Sequence, residues 1–333
     1  MAARSGQKLK LLYIVDILRK YSDEDHPISA AEICSKLSLF NVTAERKSVY
    51  NDIEQLIFYG YDIIKTRTPK AGFFLGSREF EIPEISLLTD AVKTAKFISA
   101  KKTRELISKL EAMQSVYQLN SLNKGIYFDV DSKTKNEEIY YTIDTVSRAI
   151  ENKKQIKFEY NVRTINENKE ITISSSQKII SPYAMTWQDD HYYLIGNYEK
   201  YDNLIHLRID RMHKVEITDK NSRSFSEVSD YKSVFDVADY TKRLFGMHTG
   251  NIENIELKCS REILEQVVDR FGDSIFITKL TDKTFNINYK AVVSEALVTW
   301  IINFGNKIEA VSPENLREMV KERLYRVIEL YEN

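Results

Sequence analysis

The sequence predicts a multidomain α+β chain, with helices first, small antiparallel β structure in the middle and alternating β and α elements at the end. Two observations lead there. At 333 residues the chain is too long for one ordinary core, so about two to four domains are expected. Its hydrophobic periodicity also changes along its length, from helical spacing, to short strands separated by polar turns, to an alternation of both.

The first helix is expected in "KLKLLYIVDILRKY", Lys8–Tyr21, whose apolar residues at 9, 11, 12, 14, 15, 17 and 18 suit a well-buried helix. Ser29 followed by Glu32 has the capping-box spacing and opens a second helix that runs through Leu37. Thr43 is read as the cap of a third helix, "AERKSVYNDIEQLIFYG", closed by Gly60. In "YDIIKTRTPKAGFFLG", Tyr61–Gly76, two β-prone runs flank a Pro-Lys-Ala-Gly turn. Three helices followed by a two-stranded wing is the order of a winged helix-turn-helix, assigned to residues 1–80.

Residues 81–136 are read as a helical linker, with periodic stretches over 84–119 and a polar tract over 120–137. A domain over 137–220 opens with the helix "EIYYTIDTVSRAIENK" and the β-prone run "QIKFEY". The polar stretch "NVRTINENKEITISSS" is read as a loop. Beyond it, "QKIISPYAMTW", "HYYLIGNY" and "NLIHLRIDRMHKVEIT" predict a small antiparallel sheet or barrel. Residues 221–250 are read as a second linker. The last stretch, 251–333, alternates as β-α-β-β-α-β plus a final helix, the order of a ferredoxin-like unit.

Composition excludes several function classes. Hydrophobic residues at 43% and charged residues at 29% describe a folded chain, and a net charge of −1 excludes a globally basic nucleic-acid binder while leaving room for a local basic face. The two cysteines, Cys34 and Cys259, make neither a disulfide framework nor a zinc site. No apolar run is long enough for a membrane span and no signal peptide is evident, so a cytoplasmic protein is expected. A Walker-type loop, G-x-S-x-G, H-E-x-x-H and Cys-x-x-Cys are all missing, and no metal-ligand or cofactor motif stands in their place. The expectation is a protein that is not an enzyme.

On the third helix, Val49, Ile53, Leu56 and Ile57 fall on one face, and Ala44, Lys47, Ser48 and Asn51 fall opposite. A recognition helix offers base-edge readers from its N-terminal turns, and Lys47, Ser48 and Asn51 are suitable types. Arg46 and Tyr50 flank them, where phosphate contacts are expected. Lys65, Arg67 and Lys70 give the wing a basic character. The competing reading is a solvated helix face with ordinary surface lysines. One such module binds weakly, so a dimer on a double-stranded operator is expected.

With these residues in view, the chain resembles the bacterial transcriptional regulators built from a winged helix-turn-helix, a WYL domain and a C-terminal extension. The resemblance is carried by "TAERKSVYNDIEQL", by "IISPYAMTWQDDHYYLIGNY" with "HLRIDRM", and by "VTWIINFGNKIEAVSPENLREMVKERL". It covers nearly the whole chain in order. One departure is that the Trp-Tyr-Leu triplet stands here as Tyr192-Tyr193-Leu194. The resemblance implies an Sm-like or SH3-like β-barrel that senses a nucleotide or single-stranded nucleic acid, and a C-terminal extension that helps build a homodimer.

Asp189 and Asp190 are turn formers, so 185–198 is expected to be a hairpin. Alternation places Tyr193 with Ile195 and Asn197 on one face, and His206 with Arg208 on one face of the next strand. By their place within "LRIDRM", Arg208 and Arg211 are the expected anionic contacts, with Tyr193 and His206 nearby. Guanidinium groups bind phosphate oxygens bidentately and aromatic faces stack on bases. A structural Asp210–Arg211 ion pair is the alternative. The function expected is a ligand-controlled, sequence-specific DNA-binding regulator. A nuclease, or a non-regulatory nucleic-acid-binding module in phage defence or repair, is the alternative.

Overall fold

The computed structural model describes residues 8–119, 133–229, 235–273 and 275–332. Much of the polar tract expected over 120–137, and residues 230–234 of the second expected linker, lie outside the described residues. The chain divides into two compact units, Met1–Glu137 and Glu138–Asn333.

The first unit opens with α1 (Lys10–Tyr21), α2 (Ala30–Ser38) and α3 (Arg46–Tyr59). Ile14, Leu18, Ile33, Leu37, Val49 and Ile53 meet in one core. The capping box of α2 forms as expected: Glu32 N–H donates to Ser29 Oγ over 3.3 Å and Ser29 N–H donates to Glu32 Oε2 over 2.8 Å.

Helix α3 differs from expectation in its cap and in the burial of Ile57. Thr43 is not its cap; the chain stays extended through Glu45 (φ −96°, ψ 153°), which seats Val42 and Ala44 against the core before the helix starts. Ile57 is 47% exposed, because the buried stripe runs through Val49, Asp52, Ile53 and Leu56. Its neighbour Leu56 ends that stripe, and one residue further lies about 100° round the helix.

Gly60 ends α3 at φ 119°, in the left-handed region open to glycine. Two antiparallel strands follow, β1 (Ile63–Thr66) and β2 (Gly72–Leu75). Ile28 adds a bridge to Phe73, with reciprocal backbone hydrogen bonds of 2.8 Å. That approach requires glycine at position 72, where a Cβ would lie 2.7 Å from the Ile28 carbonyl oxygen. Helices α4 (Ile82–Thr94) and α5 (Ala100–Glu111) follow and pack together.

In the second unit, α6 (Ile139–Glu151) packs across a five-stranded antiparallel sheet. Its strands are β3 (Lys154–Ile165), β4 (Ile171–Gln188), β5 (His191–Asn197), β6 (Ile205–Arg208) and β7 (Met212–Asn221), in the order β6-β5-β4-β3-β7. The expected barrel is not closed: β6 and β7 are the two edges and do not pair. Strand β4 joins the halves, pairing with β3 through Ile180 and with β5 from Ser181 onward.

The polar stretch 161–176, expected to be a loop, is a hairpin whose register runs from Asn161↔Ser175 to Ile165↔Ile171. Its alternation of Val162, Thr164, Thr172 and Ser174 against Arg163, Ile165, Ile171 and Ile173 is the period-2 pattern of a strand. High polarity and two exposed faces masked it.

Part of the expected linker 221–250 is packed structure. Helix α7 (Val237–Lys242) and the turn after it place Tyr240, Leu244 and Met247 in a core shared with Ile195 and Val292. The chain ends with β8 (Asn251–Ser260), α8 (Leu264–Phe271), β9 (Phe276–Leu280), β10 (Thr284–Val293), α9 (Glu295–Ile302), β11 (Ile308–Ser312) and α10 (Glu314–Glu332). Its antiparallel sheet runs β11-β8-β10-β9, so its strands stand 4-1-3-2 in chain order. Ile255, Leu257, Val267, Phe285, Ile301 and Leu316 bind sheet and helices into one core. Cys259 lies in the same core, where burial pushes its thiol up to about 12. Among the described residues no helix is long and apolar enough to cross a membrane.

Candidate nucleic-acid interface and ligand site

At the start of α3, Arg46, Lys47, Tyr50 and Asn51 are exposed. Among the described residues, Arg46, Lys47 and Asn51 have no intramolecular hydrogen-bond or ion-pair partner. Two cations and a side-chain amide thus stand open on the N-terminal turns, where hydrogen-bonding capacity is left for another molecule.

Ser48 is differently placed. Its hydroxyl is half-buried and accepts a 2.6 Å hydrogen bond from Lys10 Nζ, which also pairs with Asp52 Oδ2 at 2.7 Å. Lys10 on α1 therefore fixes the angle of α3 from beneath. Sequence reading missed this role, since Lys10 sits within an apolar stripe and Asp52 has the look of a surface acid.

Tyr50 ties α3 to the strand pair. Its ring meets Phe73 edge-to-face at 5.5 Å between centroids, and Lys65 Nζ lies 5.5 Å from its centre. Lys70 is exposed but paired with Glu32 at 2.9 Å. The Ser29 hydroxyl, the Ser29 backbone and then Lys70 hold the Glu32 carboxyl down at about 2. Arg67, in the loop between β1 and β2, is exposed with no partner among the described residues. The eight expected DNA-contacting residues therefore divide: Arg46, Lys47, Asn51 and Arg67 are open, Tyr50, Lys65 and Lys70 are engaged but exposed, and Ser48 is turned inward.

In the second unit, Asp189 and Asp190 form a two-residue turn, with φ of 49° and 60°, between Gln188 and its register partner His191. The hairpin brings β5 beside β6, where Tyr193 is directly opposite Arg208 and Ile195 opposite His206. These residues share one face of the sheet.

Arg208 is held by Asp210. Its Nε donates to Oδ1 over 3.0 Å and its Nη2 donates to Oδ2 over 2.7 Å. The alternative pairing of Asp210 with Arg211 gives way to this geometry. Desolvation pulls the Arg208 pKa down, but the Asp210 bonds and charge outweigh it and the net shift is upward. Arg211 is half-buried and has no hydrogen-bond or ion-pair partner among the described residues. Its charge, with that of Arg208, acts on the Tyr193 phenol, whose pKa burial nevertheless raises.

His206 has both ring nitrogens engaged. Nδ1 lies 2.8 Å from the Met247 carbonyl oxygen and Nε2 lies 2.9 Å from the Tyr240 hydroxyl. A carbonyl only accepts, so Nδ1 carries the hydrogen and Nε2 accepts from Tyr240. Desolvation lowers its pKa to about 4, and the ring is neutral near pH 7. The geometry gives His206 a role in fastening β6 to α7.

The expected ligand contacts not committed to such a packing role are Arg208, Arg211 and Tyr193. Among the described residues no group of three or more His, Cys, Asp or Glu side chains could hold a metal ion.

Comparison with known proteins places two domain models on this unit. A WYL domain model matches residues 141–217 and a WCX domain model matches residues 251–328. No curated protein sequence matches the chain. Among solved structures, proteasome accessory factor B/C (PafBC) of Arthrobacter aurescens matches at 13% identity and a TM-score of 0.27, with 97% of this chain and 49% of that one covered. The chain thus spans about half the length of that protein.

Proposed function

From the premise that this is a WYL domain-containing chain with a WCX domain behind it, we propose that it is a homodimeric, sequence-specific DNA-binding regulator. Its operator affinity is controlled by a nucleotide or single-stranded nucleic acid bound in the WYL domain. One observation carries the DNA-binding half: Arg46, Lys47 and Asn51 stand exposed and unpartnered on the first turns of the third helix of a helix-helix-helix-wing unit. In a winged helix-turn-helix this helix enters the major groove and the wing reaches the adjacent backbone.

The sensing half rests on Arg208, Arg211 and Tyr193, two guanidinium groups beside an aromatic ring. The dimer reading is supported by α10, where Leu324, Ile328 and Tyr331 form an exposed apolar stripe at helical spacing. A second copy covering that stripe would present two recognition helices to a two-fold operator. The ligand shifts operator affinity by as much as it distinguishes the two states of the dimer. Within this reading the protein works in the cytoplasm as a binding protein with no catalytic group.

Selection from a random duplex library by the full chain tests the proposal. Enrichment of a two-fold symmetric sequence is expected, with retention altered by added nucleotides or oligothymidylate. A library recovered without enrichment would contradict it.

A further inference from the structure

The Arg208–Asp210 pair has a consequence for how a phosphate is recognised. A guanidinium has two edges suited to a forked acceptor, one formed by Nε and an Nη, the other by the two Nη groups. Asp210 takes the Nε–Nη2 edge with both carboxylate oxygens, at 3.0 and 2.7 Å. Nη1 makes no hydrogen bond among the described residues, so the end-on edge keeps its donors. Asp210 is 8% exposed and Arg208 24% exposed, so the carboxylate lies beneath and the guanidinium reaches outward.

Arg208 is anchored through its main chain as well. Its backbone N–H donates to the Tyr160 hydroxyl over 3.3 Å, and Tyr193 is opposite it on β5. Asp210 and Arg211 belong to the tight 3-10 turn between β6 and β7, so the acid and the second arginine are carried on one short rigid element. A long side chain normally loses rotamer freedom when it grips a ligand; here that loss has been met in the folded protein.

We propose that Asp210 is a positioning residue for a phosphate-bearing ligand. It orients Arg208 so that the Nη1–Nη2 edge grips the phosphate, with Arg211 as the second cation. This rests on the sensing role proposed for the WYL domain and adds to it the residue that organises the grip. The shared chemistry is a phosphate, carried by a free nucleotide or by a single-stranded backbone.

The proposal runs against simple charge counting. Removing an acid from an anion site should tighten binding if Asp210 merely repels or occupies the site. If Asp210 positions Arg208, removing its charge should weaken binding. The test uses fluorescein-labelled twelve-residue oligothymidylate with the full chain, and unlabelled thymidine monophosphate as competitor.

Asp210→Asn is expected to weaken oligothymidylate binding roughly tenfold, as for loss of a charge-assisted contact. It should also flatten the slope of log K against log salt by about 0.7, the value for one lost phosphate contact on a single strand. Arg208→Lys, which keeps the charge and loses the fork, should behave likewise, with both variants melting as folded proteins. Competition by the monophosphate points to a nucleotide, and its failure to compete points to the strand backbone; either ligand meets the proposal when Asp210→Asn weakens binding. Unchanged or tighter binding by Asp210→Asn would overturn the positioning role alone. If the unaltered chain binds neither probe, the sensing role falls and the positioning role with it.

Discussion

Lys10 Nζ sits 2.7 Å from Asp52 Oδ2, an ion pair that joins the first helix to the helix proposed to read DNA. The same ammonium donates to Ser48 over 2.6 Å, so one cation holds both a hydroxyl and a carboxylate of that helix. Both side chains of the ion pair are almost out of water. Removing one partner strands the other, which costs about 3 kcal/mol at such depth, whereas replacing both by apolar groups is nearly neutral. Lys10→Met and Asp52→Leu are each expected to lower stability in urea melts, and the double variant to recover most of the loss. Additive losses in the double variant would contradict the pairing.

The β1–β2 pair depends on Gly72. A side chain there would press a Cβ to 2.7 Å from the Ile28 carbonyl oxygen, which is backbone and cannot swing aside. Gly72→Val is expected to break the Ile28–Phe73 bridge and cost about 2 kcal/mol. Hydrogen exchange at the Phe73 and Ile28 amides reads this directly. Protection equal to that of the unaltered chain would rule out the close approach.

His206 gives a pH signature. Its folded pKa of about 4 lies below the usual 6.5, so the unfolded chain takes up a proton that the folded chain refuses. Stability from this group is therefore complete above pH ~6.5 and falls as pH drops towards ~4. Between neutral pH and about pH 5 the loss is about 2 kcal/mol. His206→Gln should remove that part of the dependence, and urea melts at the two pH values measure it. An equal loss in both proteins would show that the ring titrates normally.

The final helix supplies the test of assembly. Leu324→Glu with Ile328→Glu places charges on the exposed stripe without touching Leu316, the buried contact of α10 with its own core. Sedimentation is expected to show a dimer for the unaltered chain and a folded monomer for the variant. A variant that remains dimeric would move the interface elsewhere.

Much of this architecture was legible in the residues. The capping box at Ser29 and Glu32, the glycine ending α3 and the β/α alternation at the end of the chain all act through local backbone chemistry, which sequence spacing displays. The Asp189–Asp190 turn and the Tyr193–Arg208 neighbourhood were legible for the same reason.

What sequence did not display were interactions set by partners far along the chain. Lys10 meets Ser48 and Asp52 from another helix, a contact that the spacing within either helix does not display. His206 meets Met247 and Tyr240 from a segment read as a linker. The 161–176 hairpin was missed because both its faces meet solvent, and its one apolar face, Ile165, Ile171 and Ile173, is split by the polar turn between the strands. Barrel closure depends on whether the edge strands find each other, which no local pattern encodes.

The most direct test of the central claim is an anisotropy titration of the selected duplex, and of a scrambled duplex, at one fixed salt concentration. Asn51→Ala should weaken binding to the selected sequence by about 1–3 kcal/mol while leaving the scrambled duplex almost unaffected. Lys47→Ala should also weaken the selected complex, with both variants melting as the unaltered chain does. Unchanged discrimination between the two duplexes in both variants would contradict the claim that the helix Arg46–Tyr59 reads DNA.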